Sequence, residues 1–310
     1  MKALLTVKPG MQTLIQDTGR YRVAQMGLSC GGPMDLHAYC WANRLLGNDI
    51  SSPTLEITLG NAAFKALKDC WLSLTGAPMP ADIDGKPLHN WRSFLLKKGQ
   101  TLSLSVARSG MRAYLAIEGG FVGADVFNSA ATVVRNQLGG HPSHPGEALN
   151  KGDILQQRPA SSSIDKAQWV ERHFTRHYDS TLNIAVIESY QAKDFSDHTK
   201  RVLYQKPYTL TQQCNRMGAF LEGEPIQGHG DGVISEGIAL GAIQLPANGQ
   251  PIILLNDRQT LGGYPKIGCV SKLSLMKLGQ ARPGDRIQFY RADLALETDK
   301  YRQFVRFFGL

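Results

Sequence analysis

The sequence predicts a mainly β protein with a few helices, arranged as two β-rich domains that are each a barrel or folded sheet. Its 310 residues exceed one ordinary small domain. The 32 glycines and 15 prolines cut the chain into short pieces. The apolar runs between those breaks are brief, and the one at 101–106 alternates with period two, Leu102, Leu104 and Val106 to one side, as a half-buried strand does. The division is expected at residues 1–160 and 161–310, the second domain ending in a helix.

Taken in order, Met1–Gly10 reads as a first strand ending in a turn. One helix follows. Pro33 suits its first position, Asp35 its positive first turn, and Arg44 its last turn before Gly47. Strands are expected in "WLSLTGAP" (71–78), "TLSLSV" (101–106) and "RAYLAI" (112–117), the last after a Ser109-Gly110 turn. Residues 139–165 are rich in Gly, Pro and Ser and predict loops, with a linker near 158–165. A helix is expected over "KAQWVERHFTRHY" (166–178). Strands then resume at 182–189, 232–246, 251–256 and 286–292. The chain closes with a helix whose Tyr301, Phe304, Val305 and Phe308 share one face.

Composition excludes several classes. With 42% hydrophobic and 19% charged residues, the chain is that of a folded protein, and no apolar run approaches a membrane span. The short apolar start does not make a secretory signal, so the cytoplasm is the expected compartment. Five cysteines form no C-x-x-C pair, which argues against a disulfide framework and a structural zinc site; small buried thiols are expected. The net charge of +8 is dispersed rather than gathered in a stripe, so a nucleic-acid partner is not expected. An anionic small molecule or an acidic protein remains compatible with it.

Several motifs fall short of the chemistry they suggest. Gly27-Leu28-Ser29-Cys30-Gly31 fits G-x-S-x-G, but the nucleophile elbow needs a strand before it, a helix directly after it and an alternating βα chain. A glycine-rich turn is the better reading. His173 and His177 would share a helix face, yet Phe174 stands where a zinc protease needs Glu. His141 and His144 flank Pro142 in what reads as a flexible loop, and no metal is expected. Neither a phosphate-cradling G-x-x-x-x-G-K-[ST] nor a G-x-G-x-x-G after a strand is present.

Polar clusters at strand ends carry more. In Gln16-Asp17-Thr18-Gly19-Arg20, Asp17 and Arg20 can fold back on one another. Glu236 sits in an apolar run, where a carboxylate is costly unless paired or functional. After the apolar strand 251–255, Asp257, Arg258, Gln259 and Thr260 offer four polar groups in a row, and Gly262-Gly263 allow close backbone approach.

In their order along the chain, these blocks resemble a known family. "QDTGR" (16–20), "GGPMDLHAYCWANRLLGN" (31–48), "LEITLG" (55–60), "LTGA" (74–77), "GMRAYLAIEGGF" (110–121), "NRMGAFLEG" (215–223), "SEGIALGAIQLPANGQPIILLNDRQTLGGYPKI" (235–267) and "PGDRIQF" (283–289) are similar to the carboxyltransferase-like proteins. These are also called allophanate hydrolase subunit 2, and they include the C subunit of the bacterial ATP-dependent 5-oxoprolinase. The resemblance covers about residues 3–292. It implies two cyclophilin-like β-barrel domains and two partners, a subunit-B-like chain (allophanate hydrolase subunit 1) and the A subunit. Opening the stable lactam of 5-oxoproline to glutamate then needs ATP, shared with or bound by the partner chains. Related modules occur in urea carboxylase, but no Met-Lys-Met for biotin attachment is found here.

On that reading Asp17, Glu236 and Asp257 are expected to manage protons or position groups. Arg20 and Arg216 would contact anions, and Gln244, Gln259, Thr260 and Tyr264 would orient substrate. The resemblance also admits a non-catalytic, regulatory role in which the chain binds a subunit-B-like kinase inhibitor, or an accessory role of the allophanate or urea amidolyase type. Two departures bear on substrate: Asn128-Ser129-Ala130-Ala131-Thr132 replaces a Gly-Ser-rich block, and Glu147 stands where relatives carry arginine.

Overall fold

The computed structural model describes residues 1–160, 164–226 and 233–310. Gly232, the first residue of the expected strand 232–246, and residues 161–163 of the expected linker lie outside them. The chain forms two compact units. The first comprises Met1–Tyr21, Cys30–Tyr178 and Leu310; the second comprises Arg22–Ser29 and Asp179–Gly309. Residues 164–178, which the sequence division assigns to the second domain, therefore belong to the first unit.

In the first unit two antiparallel sheets enclose one core. One runs Ile154–Gln156, Lys2–Pro9, Ala62–Ala66, Thr101–Leu104, Ala81–Ile83, Lys86–Leu88; the other runs Gln12–Gln16, Thr54–Thr58, Arg112–Ile117, Cys70–Gly76, Arg92–Leu96. Leu4, Phe64 and Leu102 from the first sheet and Ile57, Leu72 and Leu115 from the second are fully buried in a shared cluster. The second unit contains a closed seven-stranded barrel. Its order is Thr181–Glu188, Lys266–Val270, Ala242–Gln244, Ile252–Leu254, Gly218–Glu222, Tyr208–Leu210, Arg286–Arg291. Thr181–Glu188 and Arg286–Arg291 run parallel. The mainly β expectation holds, but among the described strands only the second unit closes a barrel; the first keeps its two sheets open.

Among the described residues four α-helices decorate the sheets: α1 (Leu36–Arg44), α2 (Asp197–Gln205), α3 (Lys272–Leu278) and α4 (Leu294–Phe308). Asp35 does not sit inside α1 as its first turn. It is the N-cap, its carboxylate accepting the N–H groups of His37 and Ala38 at 3.1 and 3.2 Å. A buried network holds the segment before α1: Glu56 Oε2 accepts Met34 N–H at 2.9 Å and the Tyr114 hydroxyl at 2.7 Å.

Two expected elements differ. Over 166–178 only Arg172–Phe174 forms a short 3-10 turn. The stretch instead pairs as an edge, Ser93 N–H donating to the Gln168 carbonyl and Val170 N–H to the Trp91 carbonyl at 2.8 and 2.9 Å. His173 and His177 consequently share no helix face. The expected strand 232–246 is broken as well. Gly241 takes φ +87°, and a Cβ there would stand 2.8 Å from the Val270 carbonyl oxygen, so the chain turns between Glu236–Gly237 and Ala242–Gln244.

All five cysteines are free thiols; Cys40 and Cys70 are buried, the other three partly so. No described helix is long and apolar enough to cross a membrane.

Burial of His37 on α1, with the Arg176 guanidinium acting the same way, lowers its pKa from 6.5 to about 4. As pH falls, the unfolded chain takes this proton first. Stability from the neutral imidazole is complete above about pH 6.5 and is lost as pH falls towards about 4. Unfolding at pH 7 and pH 5 should therefore show a loss on the order of 2 kcal/mol. A His37→Gln variant should lack that component, and equal pH slopes for the two proteins would refute it.

Candidate functional site

The second unit gathers a polar cluster at one edge of its barrel. Lys266 begins a barrel strand and is only 7% exposed. Its ammonium pairs with Glu236 Oε1 at 2.5 Å. Glu236 lies in a two-stranded ribbon opposite Gly262, and Lys266 lies opposite Gln244 in the barrel. Gly262 links the two pairs. A Cβ there would stand 2.9 Å from Gln244 Nε2, so only glycine lets the ribbon approach the amide.

The Tyr190–Asp194 3-10 turn supplies the rest. Its first residue, Tyr190, donates its hydroxyl to Glu236 Oε1 at 2.6 Å. Gln191 Nε2 donates to the same carboxylate at 2.9 Å, and Gln191 Oε1 accepts the Lys266 backbone N–H at 2.7 Å. The turn is set by Ser189, whose hydroxyl donates to the Lys266 carbonyl and accepts Gln191 N–H. The Lys266 ammonium, then the Tyr190 hydroxyl, hold Glu236 below the usual carboxylate range. The carboxylate in turn raises Tyr190, which stays a phenol at neutral pH.

One group in this cluster lacks a partner. Gln244 is 1% exposed, and among the described residues its Nε2 finds no acceptor. A buried amide donor left unmade costs about 1–3 kcal/mol, which an arriving acceptor would recover. The cluster thus offers a cation, an ionised carboxylate, a neutral phenol and two amides within one small volume. In hydrogen-bonding character that set is complementary to a small molecule bearing a carboxylate and an amide.

The other expected site residues have different surroundings. Asp257 and Arg216 form a bidentate pair, Nε to Oδ2 at 2.9 Å and Nη2 to Oδ1 at 3.0 Å, with both side chains buried. The Asp257 N–H also donates to the Arg216 carbonyl at 2.9 Å. Ser29 donates its hydroxyl to the carbonyls of Arg258 and Asp257 at 2.8 and 3.2 Å, anchoring the same turn. Gln259 and Thr260 are half-buried beyond it, where the Thr260 carbonyl accepts Ile238 N–H, and Tyr264 is exposed.

In the first unit, Asp17 accepts Gly19 N–H, the Ser129 hydroxyl and Ala130 N–H at 2.9, 2.6 and 2.6 Å. Arg20 donates to the carbonyls of Val126, Ala131 and Ser129 at 3.0, 2.6 and 3.1 Å. Both residues brace the backbone of residues 126–131. The Asn128–Thr132 departure falls on this braced stretch.

Sequence reasoning passed over Lys266, Tyr190 and Gln191. Lys266 carried a usable signal, a cation between Pro265 and the apolar Ile267 in a barrel strand. Tyr190 and Gln191 had none, being brought to Glu236 from 45 or more residues away.

A family model described as carboxyltransferase domain, subdomain A and B, matches residues 26–291. The chain belongs to this family. It is 35% identical over 301 residues to the 5-oxoprolinase C subunit of Escherichia coli (strain K12), spanning 97% of this chain and 94% of that protein. It is also 34% identical over 298 residues to the 5-oxoprolinase C subunit of Haemophilus influenzae, covering 93% of this chain and 91% of that protein. The same fold is present in the K. lactis urea amidolyase, with a TM-score of 0.90 over 98% of this chain and 24% identity. This chain spans 20% of that much longer protein.

Proposed function

We propose that this chain is the C subunit of an ATP-dependent 5-oxoprolinase, and that the Lys266–Glu236–Gln244 cluster receives 5-oxoproline. The observation that carries this reading is the buried, unpartnered Gln244 amide beside a buried ammonium. The substrate has the matching pair of groups, a lactam and a carboxylate. Identity across nearly the full length of two proteins named for that enzyme supports the same assignment.

In this reading Lys266 holds the substrate carboxylate, and Gln244 Nε2 donates to the lactam oxygen. Glu236, kept ionised by Lys266 and Tyr190, accepts a proton or orients the attacking water. Tyr190, held as a phenol, donates one. Asp257 and Arg216, expected as a base and an anion contact, are given a positioning role in this reading, since both side chains of that bidentate pair are buried, whereas the Glu236 side chain paired with Lys266 is 36% exposed. Asp17 and Arg20 act through the backbone they brace.

The cluster's one buried ammonium suits a single carboxylate. It does not fit a triphosphate, whose charge calls for several cationic and N–H donors. ATP is accordingly assigned to the two partner chains, the subunit-B-like protein and the A subunit.

The test is reconstitution. ATP-dependent conversion of 5-oxoproline to glutamate is expected when this chain is mixed with both partner chains, and not with this chain alone. Complex formation without turnover would favour the non-catalytic, partner-binding reading.

A further inference from the structure

A loop of the first unit, leading into the edge strand Ile154–Gln156, carries a second cluster with a different chemistry. His141 and His144 stack, their ring centroids 4.7 Å apart and planes inclined by 20°. His144 Nε2 lies 2.9 Å from Asp153 Oδ2. One ligand atom from each of His141, His144 and Asp153 falls within 4.8 Å of the others. All three side chains are largely buried, and His141 and Asp153 line a cavity of about 280 Å³.

This loop does not behave as the flexible segment its composition suggests. Gly146 N–H donates to the Gly139 carbonyl at 2.7 Å and Gly152 N–H to the Thr6 carbonyl at 2.8 Å, closing both ends. The donors are pre-aimed. His141 Nε2 lies 3.2 Å from the Ile154 carbonyl, and donating there leaves Nδ1 as a lone-pair nitrogen, held only by a long 3.3 Å contact from Ser143 N–H. Metal-ligating histidines are oriented in this way, the second ring nitrogen bonded to a backbone carbonyl. Asp153 Oδ2 is fixed in turn by Asn150 N–H at 2.7 Å.

We infer that His141, His144 and Asp153 form a three-ligand site for a divalent cation of the zinc class. The ion would take the place of the proton shared between His144 and Asp153. Two imidazoles and one carboxylate suit such an ion at about 2.0–2.2 Å, with water in the fourth position. Neighbouring ligands in that geometry stand about 3.3 Å apart, so small side-chain rotations close the site. Glu147 adds negative charge nearby, its carboxylate 3.8 Å from His144 Nδ1. Lys2 also lines the cavity, but its side chain is exposed, and water screens its repulsion.

The test uses the full chain, stripped with a chelator and titrated with Zn²⁺ by calorimetry and with Co²⁺ by visible absorption. The wild type should bind one equivalent, and Co²⁺ should show the intense d–d bands of a tetrahedral N/O site. His144→Ala and Asp153→Asn should each weaken binding more than about 10-fold. The asparagine can still accept the Asn150 N–H, which keeps this variant folded. His173→Ala, at an exposed position, should bind as the wild type does. Wild-type binding no tighter than that of Asp153→Asn would overturn the inference, as would full retention of the equivalent in both ligand variants.

Discussion

Replacing Lys266 with methionine is expected to lower 5-oxoproline turnover by the reconstituted assembly about 100-fold or more. The lysine is the cation that the cluster buries, and methionine keeps its length and apolar stem while removing the charge. Glu236, half exposed on its ribbon, can then be solvated, so the barrel should melt close to the wild-type temperature. The comparison with two neighbours makes the result specific. Gln244→Leu should cost less, about 10-fold, because it removes one hydrogen bond rather than a charge. Glu236→Gln keeps the hydrogen-bonding shape and tests the carboxylate alone. Unchanged kcat/KM in Lys266→Met, with a melting temperature that shows a folded chain, would remove the cluster from the active site.

The largest loss of stability is expected at Arg216. Its partner Asp257 is 4% exposed, and Arg216→Ala would leave that carboxylate without its bidentate guanidinium. Breaking a buried pair from one side costs about 3–5 kcal/mol. For a chain of this size the melting temperature should fall on the order of 10 °C. Arg216→Lys should recover only part of it, since an ammonium cannot reproduce two parallel N–H···O bonds. The double variant Arg216→Met with Asp257→Leu should be markedly more stable than Arg216→Ala, because no charge is left buried. A single variant that melts like the wild type would show that the pair contributes little to the turn at 255–258.

The second of these pairs shows why only part of the site was legible beforehand. A polar row after an apolar strand announced that something happens at Asp257–Thr260, and the structure places a buried ion pair there. Glu236 was legible because a carboxylate in an apolar run demands a partner. The partner was not, since Lys266 reaches it through pairing of the ribbon and barrel strands. Alternation marked the strand at 101–106, several others followed from short apolar runs, and α4 from its aromatic stripe, while short strands such as Ala62–Ala66, Arg92–Leu96 and Gly218–Glu222 carried no such mark. Residues 166–178 mimic a helix in composition, yet Trp91 and Ser93 offer an edge to pair with, and backbone bonds to that edge prevail. Helices α2 and α3 went unread. Their serine caps, Ser196 and Ser271, were there to be seen, each accepting the N–H three residues on.

The placement of Arg22–Ser29 in the second unit has a consequence for synthesis. The Ser29 hydroxyl bonds the carbonyls of Asp257 and Arg258, 228 and 229 residues further along. A ribosome delivers the early piece long before the strands that receive it exist. The second unit therefore cannot be finished while the first is being made, and neither can be released as an independent half by cutting the chain once. Any truncation or gene split at the apparent midpoint would strand an eight-residue segment with the wrong partner.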